Sequence, residues 1–179
     1  MEEVADMCKV PYHEAVGSLN YCTVTTRPDI AFPVSLLAQF MENPGRIHWE
    51  AVKRVFRYLL GTKDWKLTYG TIGNGLKGYT DADGSLQEHQ HAISGYVFLM
   101  NGGAISWSSK KQSLVTLSTA ESEYVAATYA AKEALWLCRI IGEVFQALEE
   151  PATLYSDSQS AITLTKDRSY HARTKHIDI

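Results

Sequence analysis

The sequence predicts an α/β domain built on a mixed sheet, in which three antiparallel strands are followed by a parallel crossover strand with flanking helices. A small helical module precedes it. Two observations predict this class. The hydrophobic period is helical before residue 70 and extended after residue 75, where β-branched and aromatic residues dominate. The later segments then follow the order strand, long helix, strand, which is typical of two parallel strands in one sheet.

The composition of the 179-residue chain, with 45% apolar and 21% charged residues, is that of a globular protein. Seventeen Lys and Arg against twenty Asp and Glu give a formal charge of −3, so nucleic-acid binding would need local basic patches. Three cysteines without CxxC spacing argue against a disulfide framework and a zinc site. Without a membrane span or a signal peptide, we expect an intracellular protein, in a cytoplasmic particle or the nucleus, that is not secreted.

Residues 1–70 are predicted to form the helical module. Pro28 and Asp29 suit a helix start, and this helix is expected to continue until Asn43, with a kink at Pro33. Its apolar positions are Ile30, Val34, Leu37 and Met41.

A second helix with a basic face is predicted to end at Gly61. Its apolar face is formed by Trp49, Val52, Phe56 and Leu59. Its cationic candidates are Lys53, Arg54 and Arg57. These cations either contact nucleic-acid phosphates or form an ordinary solvated face.

The charge is unevenly distributed along the chain. Residues 46–66 hold six Lys or Arg and two acids, whereas residues 78–109 hold three acids and no Lys or Arg.

A Gly-rich link at residues 71–75 separates this module from a second domain, residues 76–179. The predicted strands of that domain are 76–82, 92–100 and 104–108. Asn101-Gly102-Gly103 stands between the last two and is a strong hairpin signal. Three antiparallel strands are therefore expected.

A long helix is predicted after the hairpin, because apolar residues recur at alternating steps of three and four. These residues are Tyr124, Ala127, Ala131, Ala134, Cys138, Ile141, Phe145 and Leu148. Residues 153–156 then form a short strand, and Ser158 caps a helix that runs through Leu164. This order predicts the parallel crossover.

Two aspartates are candidates for a metal site. Asp81 lies near the end of the first strand among residues that place it in the middle of the sheet, although it could also initiate a turn before Asp83. Asp157 ends the fourth strand directly before a helix, where open α/β sheets place their ligands. Oxygen ligands without Cys or His favour Mg²⁺ or Mn²⁺. Two such ions about 3.5–4 Å apart can promote phosphodiester cleavage.

The start of the long helix offers two glutamates with different expected roles. Ser118 and Glu121 form a capping box, which gives Glu121 a structural role. At roughly 100° per residue, Glu123 lies about 40° from the centre of the predicted apolar stripe and Glu121 about 120° from it. Glu123 is therefore expected to face the sheet and join Asp81 and Asp157.

The motifs YTDAD, SGYVFL, ISWSSKKQ, LSTAESEYVAA, LYSDSQSAI and YHARTKHIDI resemble, in order and spacing, the ribonuclease H domain of copia-type retrotransposon Pol polyproteins. This resemblance covers residues 74–179. The segments VPYHEAVGSLNYCTVTTRPDIA and HWEAVKRVFRYLLGT resemble the thumb or connection region that joins the reverse transcriptase to ribonuclease H.

The resemblance implies a ribonuclease H-like fold that cuts the RNA strand of an RNA–DNA hybrid with two Mg²⁺ ions, for which Mn²⁺ can substitute. The family's carboxylates match Asp81, Glu123 and Asp157. The exposed pair Lys110 and Lys111 would contact phosphates or simply be solvated. No YxDD motif occurs, so DNA synthesis is not expected, and the polymerase part of the same polyprotein is an expected partner.

The resemblance also implies elements that this sequence is expected to lack, namely the fifth strand and the last helix, which bears a fourth carboxylate. Asp178 is the weaker candidate for that ligand, because its motif matches the helix before the strand. The uncovered sheet edge would suit a partner chain or a second copy. With a weaker site, Mn²⁺ is expected to support cleavage better than Mg²⁺. The alternatives are an impaired remnant that binds nucleic acid or dimerises, and an α/β domain without nucleic-acid contact.

Overall fold

The computed structural model describes residues 7, 9–70, 75–83, 91–145 and 151–166. The chain divides into two units, residues 1–67 and residues 68–179. Most of the predicted link lies outside the described residues, as do Leu148 and Asp178. Among the described residues, no helix combines the length and the apolar character needed to cross a bilayer.

The first unit is helical, as predicted. Its elements are α1 (Tyr12–Thr25), a 3₁₀ turn (Pro28–Ile30), α2 (Ala31–Ala38) and α3 (Arg46–Gly61). Helix α2 ends at Ala38 and does not continue to Asn43, because the next N–H groups donate to carbonyls three residues back and tighten the chain. Pro33 falls in the first turn of α2 and not in a helix interior, where a kink was expected.

The core of the first unit joins α1, α2 and α3. Its buried side chains are Tyr12, Val16, Leu19, Ile30, Val34, Leu37, Val52 and Val55. The Tyr12 hydroxyl donates to the Leu37 carbonyl at 2.9 Å and ties α1 to α2. Phe56, predicted to face this core, is 40% exposed, and Val55 is buried in its place. The buried stripe of α3 is therefore rotated relative to the predicted one.

The second unit contains the predicted mixed sheet. Its elements are β1 (Lys77–Asp83), β2 (Ile93–Met100), β3 (Gly103–Lys111), α4 (Thr119–Phe145), β4 (Thr153–Tyr155) and α5 (Gln159–Lys166). The strand order is β3-β2-β1-β4, with β1–β2 and β2–β3 antiparallel and β1–β4 parallel. The predicted fold class is confirmed, and it is consistent with a ribonuclease H-like fold.

The turn between β2 and β3 has the predicted hairpin geometry. Asn101 has a φ of 51° and Gly102 a φ of 83°, and both are left-handed conformations. A two-residue turn of this kind matches the right-handed twist of the flanking strands. The Asn-Gly pair therefore sets the pairing next to the turn, and the register of the two strands then shifts by one residue between Phe98 and Leu99.

The face that α4 buries differs from the predicted one. Its buried residues are Ser122, Val125, Ala126, Ala130, Leu137 and Ile141. Ala131 and Phe145 of the predicted stripe are exposed. The long helix carries apolar residues around most of its circumference, so spacing alone does not decide which stripe meets the sheet. Glu123 still lies nearer than Glu121 to the centre of the buried stripe, at about 60° against about 140°.

Gly78 is a position in β1 where no side chain fits. A Cβ atom there would collide with the Phe98 ring and approach Leu154 Cδ1 to 2.9 Å, and Phe98 is fully buried. Gly78→Ala is therefore expected to destabilise the second unit by about 2–3 kcal/mol in urea unfolding, because overpacking forces core side chains to shift. Gly95→Ala in β2 is the matched control, since its Cβ would meet no atom closer than 3.9 Å. Equal stability of the two variants would contradict this prediction.

Candidate metal centre

Three carboxylates from different elements meet in the second unit. Asp81 lies on β1, Glu123 near the start of α4, and Asp157 between β4 and α5. Each offers an oxygen, and these oxygens all lie within 4.8 Å of one another. The structure thus brings together the three residues that were predicted as metal ligands.

Asp81 is presented by the middle of the sheet. Strand β1 lies between β2 and β4, and its exposed positions Tyr79, Asp81 and Asp83 alternate with buried ones. Asp81 pairs with Gly95, which has no side chain to cover the carboxylate. The Asp81 carboxylate is therefore accessible although its strand is central.

The start of α4 distinguishes the two glutamates as predicted. Ser118 Oγ accepts the Glu121 N–H at 3.3 Å, and Glu121 Oε2 accepts the Leu117 N–H at 2.8 Å. Glu121 therefore caps the helix. Glu123, two residues later, is directed towards Asp81.

The Glu123 carboxyl lies in an unfavourable electrostatic environment. Burial, followed by the neighbouring charges of Asp81 and Asp157, raises its pKa to about 7, against the opposing effect of a hydrogen bond from the Ala82 backbone. Glu123 Oε2 is buried and has no hydrogen-bond partner among the described residues. Such an oxygen costs free energy unless a cation or a proton compensates it.

Local hydrogen bonds hold the backbone around Asp157. Ser158 Oγ accepts the Ala161 N–H at 3.2 Å, which is the predicted cap of α5. Ser156 Oγ accepts the Ser158 N–H, also at 3.2 Å. Strand β4 ends at Tyr155, so Asp157 lies just beyond the strand end and not on it.

This arrangement fits a hard divalent cation. The cluster supplies only carboxylate oxygens, which Mg²⁺ and Mn²⁺ prefer, and it includes a buried oxygen that lacks a partner. Asp178, the weaker candidate for a fourth ligand, lies outside the described residues. The metal-binding roles of the three carboxylates stay predictions.

The predicted cations Lys110 and Lys111 lie at the end of β3. Together with Lys132 of α4 they line a groove of about 430 Å³. Lys110 pairs with Ser94 in β2, and Ser94 pairs with Ala82 beside Asp81. Neighbouring strands are about 4.8 Å apart, which places the Lys110 backbone about 10 Å from β1.

The other predicted cations, Lys53, Arg54 and Arg57, lie on α3 of the first unit. Glu50 pairs with Lys53 at 2.6 Å and with Arg57 at 3.9 Å. Exposed ion pairs of this kind contribute little stability and exchange readily with water or phosphate. They are compatible with a solvated face, and contact with nucleic acid stays a prediction.

Two features of the site were not predicted from the sequence. Tyr79 and Tyr155 stack with ring centroids 5.1 Å apart and are 44% and 46% exposed, on the same face of β1 as Asp81. Gln112, directly after β3, is buried and bonded to both the sheet and α4. The tyrosine stack depends on the register between β1 and β4, and the burial of Gln112 depends on packing. Neither feature produces a hydrophobic periodicity in the sequence.

Comparison with known proteins finds transposon polyproteins. The chain is 52% identical over 181 residues to the retrovirus-related Pol polyprotein from transposon TNT 1-94 of Nicotiana tabacum, covering 100% of this chain and 14% of that protein. It is 38% identical over 169 residues to the corresponding polyprotein from transposon RE2 of Arabidopsis thaliana, covering 93% and 12%. The chain therefore spans a small part of the length of these polyproteins.

One of the similar proteins is not named as a polyprotein, and the match spans most of its length. Secreted RxLR effector protein 161 of Plasmopara viticola is 47% identical over 133 residues, which are 73% of this chain and 94% of that protein. No model of a known protein family matches the chain. Since the similar proteins include one named as secreted, the predicted intracellular localisation stays a prediction.

Proposed function

We propose that the second unit of this chain, whose sequence is similar to a part of the retrovirus-related Pol polyproteins of transposons, is a metal-dependent ribonuclease H that hydrolyses the RNA strand of RNA–DNA hybrids. The products would carry 3′-hydroxyl and 5′-phosphate ends. The observation that carries this proposal is the convergence of Asp81, Glu123 and Asp157, whose oxygens lie within 4.8 Å of one another. The mixed sheet that presents them supports the same activity.

Asp81, Glu123 and Asp157 would hold the Mg²⁺ or Mn²⁺ ions. When bound there, such ions activate a water molecule and stabilise charge on the leaving oxygen of a phosphodiester. Asp81 is an exposed position of β1, whereas Glu123 contributes a buried oxygen from the helix. Because the pKa of the metal-free Glu123 carboxyl is raised to about 7, a proton competes with a cation for this group near neutral pH and must leave when the cation binds.

The lysines at the end of β3 would bind the phosphates of the duplex. Lys110, Lys111 and Lys132 line one groove in the same unit as the carboxylates. Selection of a hybrid would come from contacts to 2′-hydroxyls on one strand and to the DNA backbone on the other. Lys53, Arg54 and Arg57 would bind further phosphates, and the polymerase part of the polyprotein is the proposed partner.

The test is cleavage of an end-labelled RNA–DNA hybrid by the purified chain in Mg²⁺ or Mn²⁺. Double-stranded RNA and duplex DNA are tested in parallel as comparison substrates. Asp81→Asn removes one charge of the site, and Asp83→Asn, at the next exposed position of β1, is the matched control. We expect cleavage of the hybrid alone, lost in Asp81→Asn and retained in Asp83→Asn.

Failure to cleave the hybrid with a folded chain and either metal would contradict the proposal and favour the impaired, nucleic-acid-binding alternative. Cleavage that survives Asp81→Asn would contradict it as well, because the activity would then come from elsewhere. A chain that binds the hybrid without cleaving it would be the impaired, nucleic-acid-binding module. A chain that neither binds nor cleaves it would be a domain without nucleic-acid contact.

A further inference from the structure

Gln112 is a buried polar residue at the point where β3 ends. The residue is 3% exposed. Its backbone N–H donates to the Ala92 carbonyl at 2.7 Å, so the residue continues the β2–β3 ladder. The position of the Gln112 amide is therefore fixed by the sheet.

The Gln112 amide connects the sheet to the start of α4. Its Nε2 donates to Ser94 Oγ at 2.8 Å and to the Ser122 carbonyl at 2.9 Å. A carbonyl can only accept, so the nitrogen and not the oxygen of the amide must face Ser122. Ser122 is fully buried and directly precedes Glu123.

These contacts belong to a closed ring of interactions that includes Glu123 and lies next to Asp81. Ser94, at one end of the amide bridge, pairs with Ala82 in β1. The Ala82 backbone in turn bonds the Glu123 carboxylate. Because Ala82 follows Asp81, this ring fixes the helix that carries one carboxylate relative to the strand that carries another.

We propose that Gln112 is a positioning residue that holds Glu123 at the correct distance from Asp81 for a divalent cation. The proposal rests on the proposed metal-binding function of these carboxylates. The Gln112 amide donates to Ser122 and Ser94, and it acts on the carboxylates through these two residues. In metal sites, groups that orient the ligands contribute about 10–100-fold to metal affinity or activity.

The Gln112 amide oxygen supports a positioning role over simple packing. Oε1 is buried and has no partner among the described residues. A buried acceptor without a donor is unfavourable, and an apolar side chain of the same size would avoid that cost. What an apolar residue cannot supply is the pair of N–H donors that joins the sheet to α4.

The test is Mn²⁺ binding to the full chain without nucleic acid, measured by electron paramagnetic resonance of the free ion. Gln112→Met keeps the volume and removes both donors. We expect it to weaken Mn²⁺ binding about tenfold. In the cleavage assay, the half-saturating Mn²⁺ concentration should rise by the same factor, while the KM for the hybrid and the rate at saturating Mn²⁺ stay within about twofold.

Ser106→Ala is the matched control. Ser106 Oγ donates to Glu133 Oε1 at 2.6 Å, so it also joins the sheet to α4, but ten residues beyond Glu123. We expect Mn²⁺ affinity to be unchanged in this variant. Should Gln112→Met fail to fold, Ser94→Ala removes only one end of the bridge and is expected to weaken Mn²⁺ binding measurably.

Unchanged Mn²⁺ affinity in Gln112→Met would overturn the proposal. If Gln112→Met does not fold, unchanged Mn²⁺ affinity in Ser94→Ala would overturn it. An equal loss in Ser106→Ala would do the same, because a general loosening of α4 would then explain the effect. If Asp81→Asn binds Mn²⁺ as tightly as the unsubstituted chain does, both the proposed function and this inference are overturned. Binding that depends on Asp81 but not on Gln112 overturns the positioning role alone.

Discussion

Glu123→Gln is expected to lower the rate of hybrid cleavage by about 10³-fold or more, which corresponds to about 4 kcal/mol of transition-state stabilisation. The substitution keeps the volume of the side chain and removes its charge. Glu123 contributes a buried oxygen with no hydrogen-bond partner among the described residues, close to Asp81 and Asp157. An amide at this position would offer a cation a neutral oxygen in place of a carboxylate.

Glu121→Gln is the matched control on the same helix turn, and we expect its cleavage rate to stay within about twofold of that of the unsubstituted chain. The Glu121 carboxylate accepts the Leu117 N–H, and an amide oxygen can accept the same hydrogen bond. The measurement is single-turnover cleavage of an end-labelled hybrid at saturating Mn²⁺. Similar losses in both variants would assign the effect to the helix start, and retained activity in Glu123→Gln would remove Glu123 from the site.

Local motifs and the order of the segments were sufficient to predict the strands and the meeting of the carboxylates. The Asn101-Gly102 turn fixes a hairpin by its backbone conformation alone, so its geometry could be predicted without tertiary information. Glu121 could be separated from Glu123 because a capping box is a local motif that the helix start satisfies by itself. The close approach of Asp81 to Asp157 follows from the parallel pairing of β1 with β4.

The buried face of α4 could not be predicted in the same way. Apolar residues surround this helix. The sheet buries Ala126 and Ala130 while Ala131 is exposed, although the side chains are identical, so residue type alone does not decide which face is buried. The hydrogen bonds of the Gln112 amide likewise join segments that are 18 and 10 residues away in the sequence. Hydrophobic periodicity carries no information about such polar bridges.

Without divalent cations, the stability of the second unit is expected to fall as the pH rises from about 5 to 7.5. Burial and the charges of Asp81 and Asp157 raise the pKa of Glu123 from 4.5 to about 7 in the folded chain. Between these values the folded state keeps a proton that the unfolded state has lost, so raising the pH favours unfolding. Allowing for solvent screening, we expect a loss of about 1–2 kcal/mol.

The measurement is urea unfolding at a series of pH values in a chelating buffer, with the transition of the second unit identified by its shift in Gly78→Ala. Glu123→Gln should abolish most of the pH-dependent loss, because a neutral side chain has no proton to release. Glu121→Gln should retain it. A pH dependence that is unchanged in Glu123→Gln would show that another group is responsible.

Mn²⁺ should reverse the same loss at neutral pH. A cation that binds only the folded chain stabilises it by about 2.7 kcal/mol at 100 times its dissociation constant. Because that cation needs the deprotonated Glu123, its effect should increase between pH 5 and 7.5, over the range in which the metal-free chain becomes less stable. The close approach of the three carboxylates would then account both for their electrostatic cost and for their affinity for metal. Asp81→Asn should therefore stabilise the metal-free chain and weaken its response to Mn²⁺.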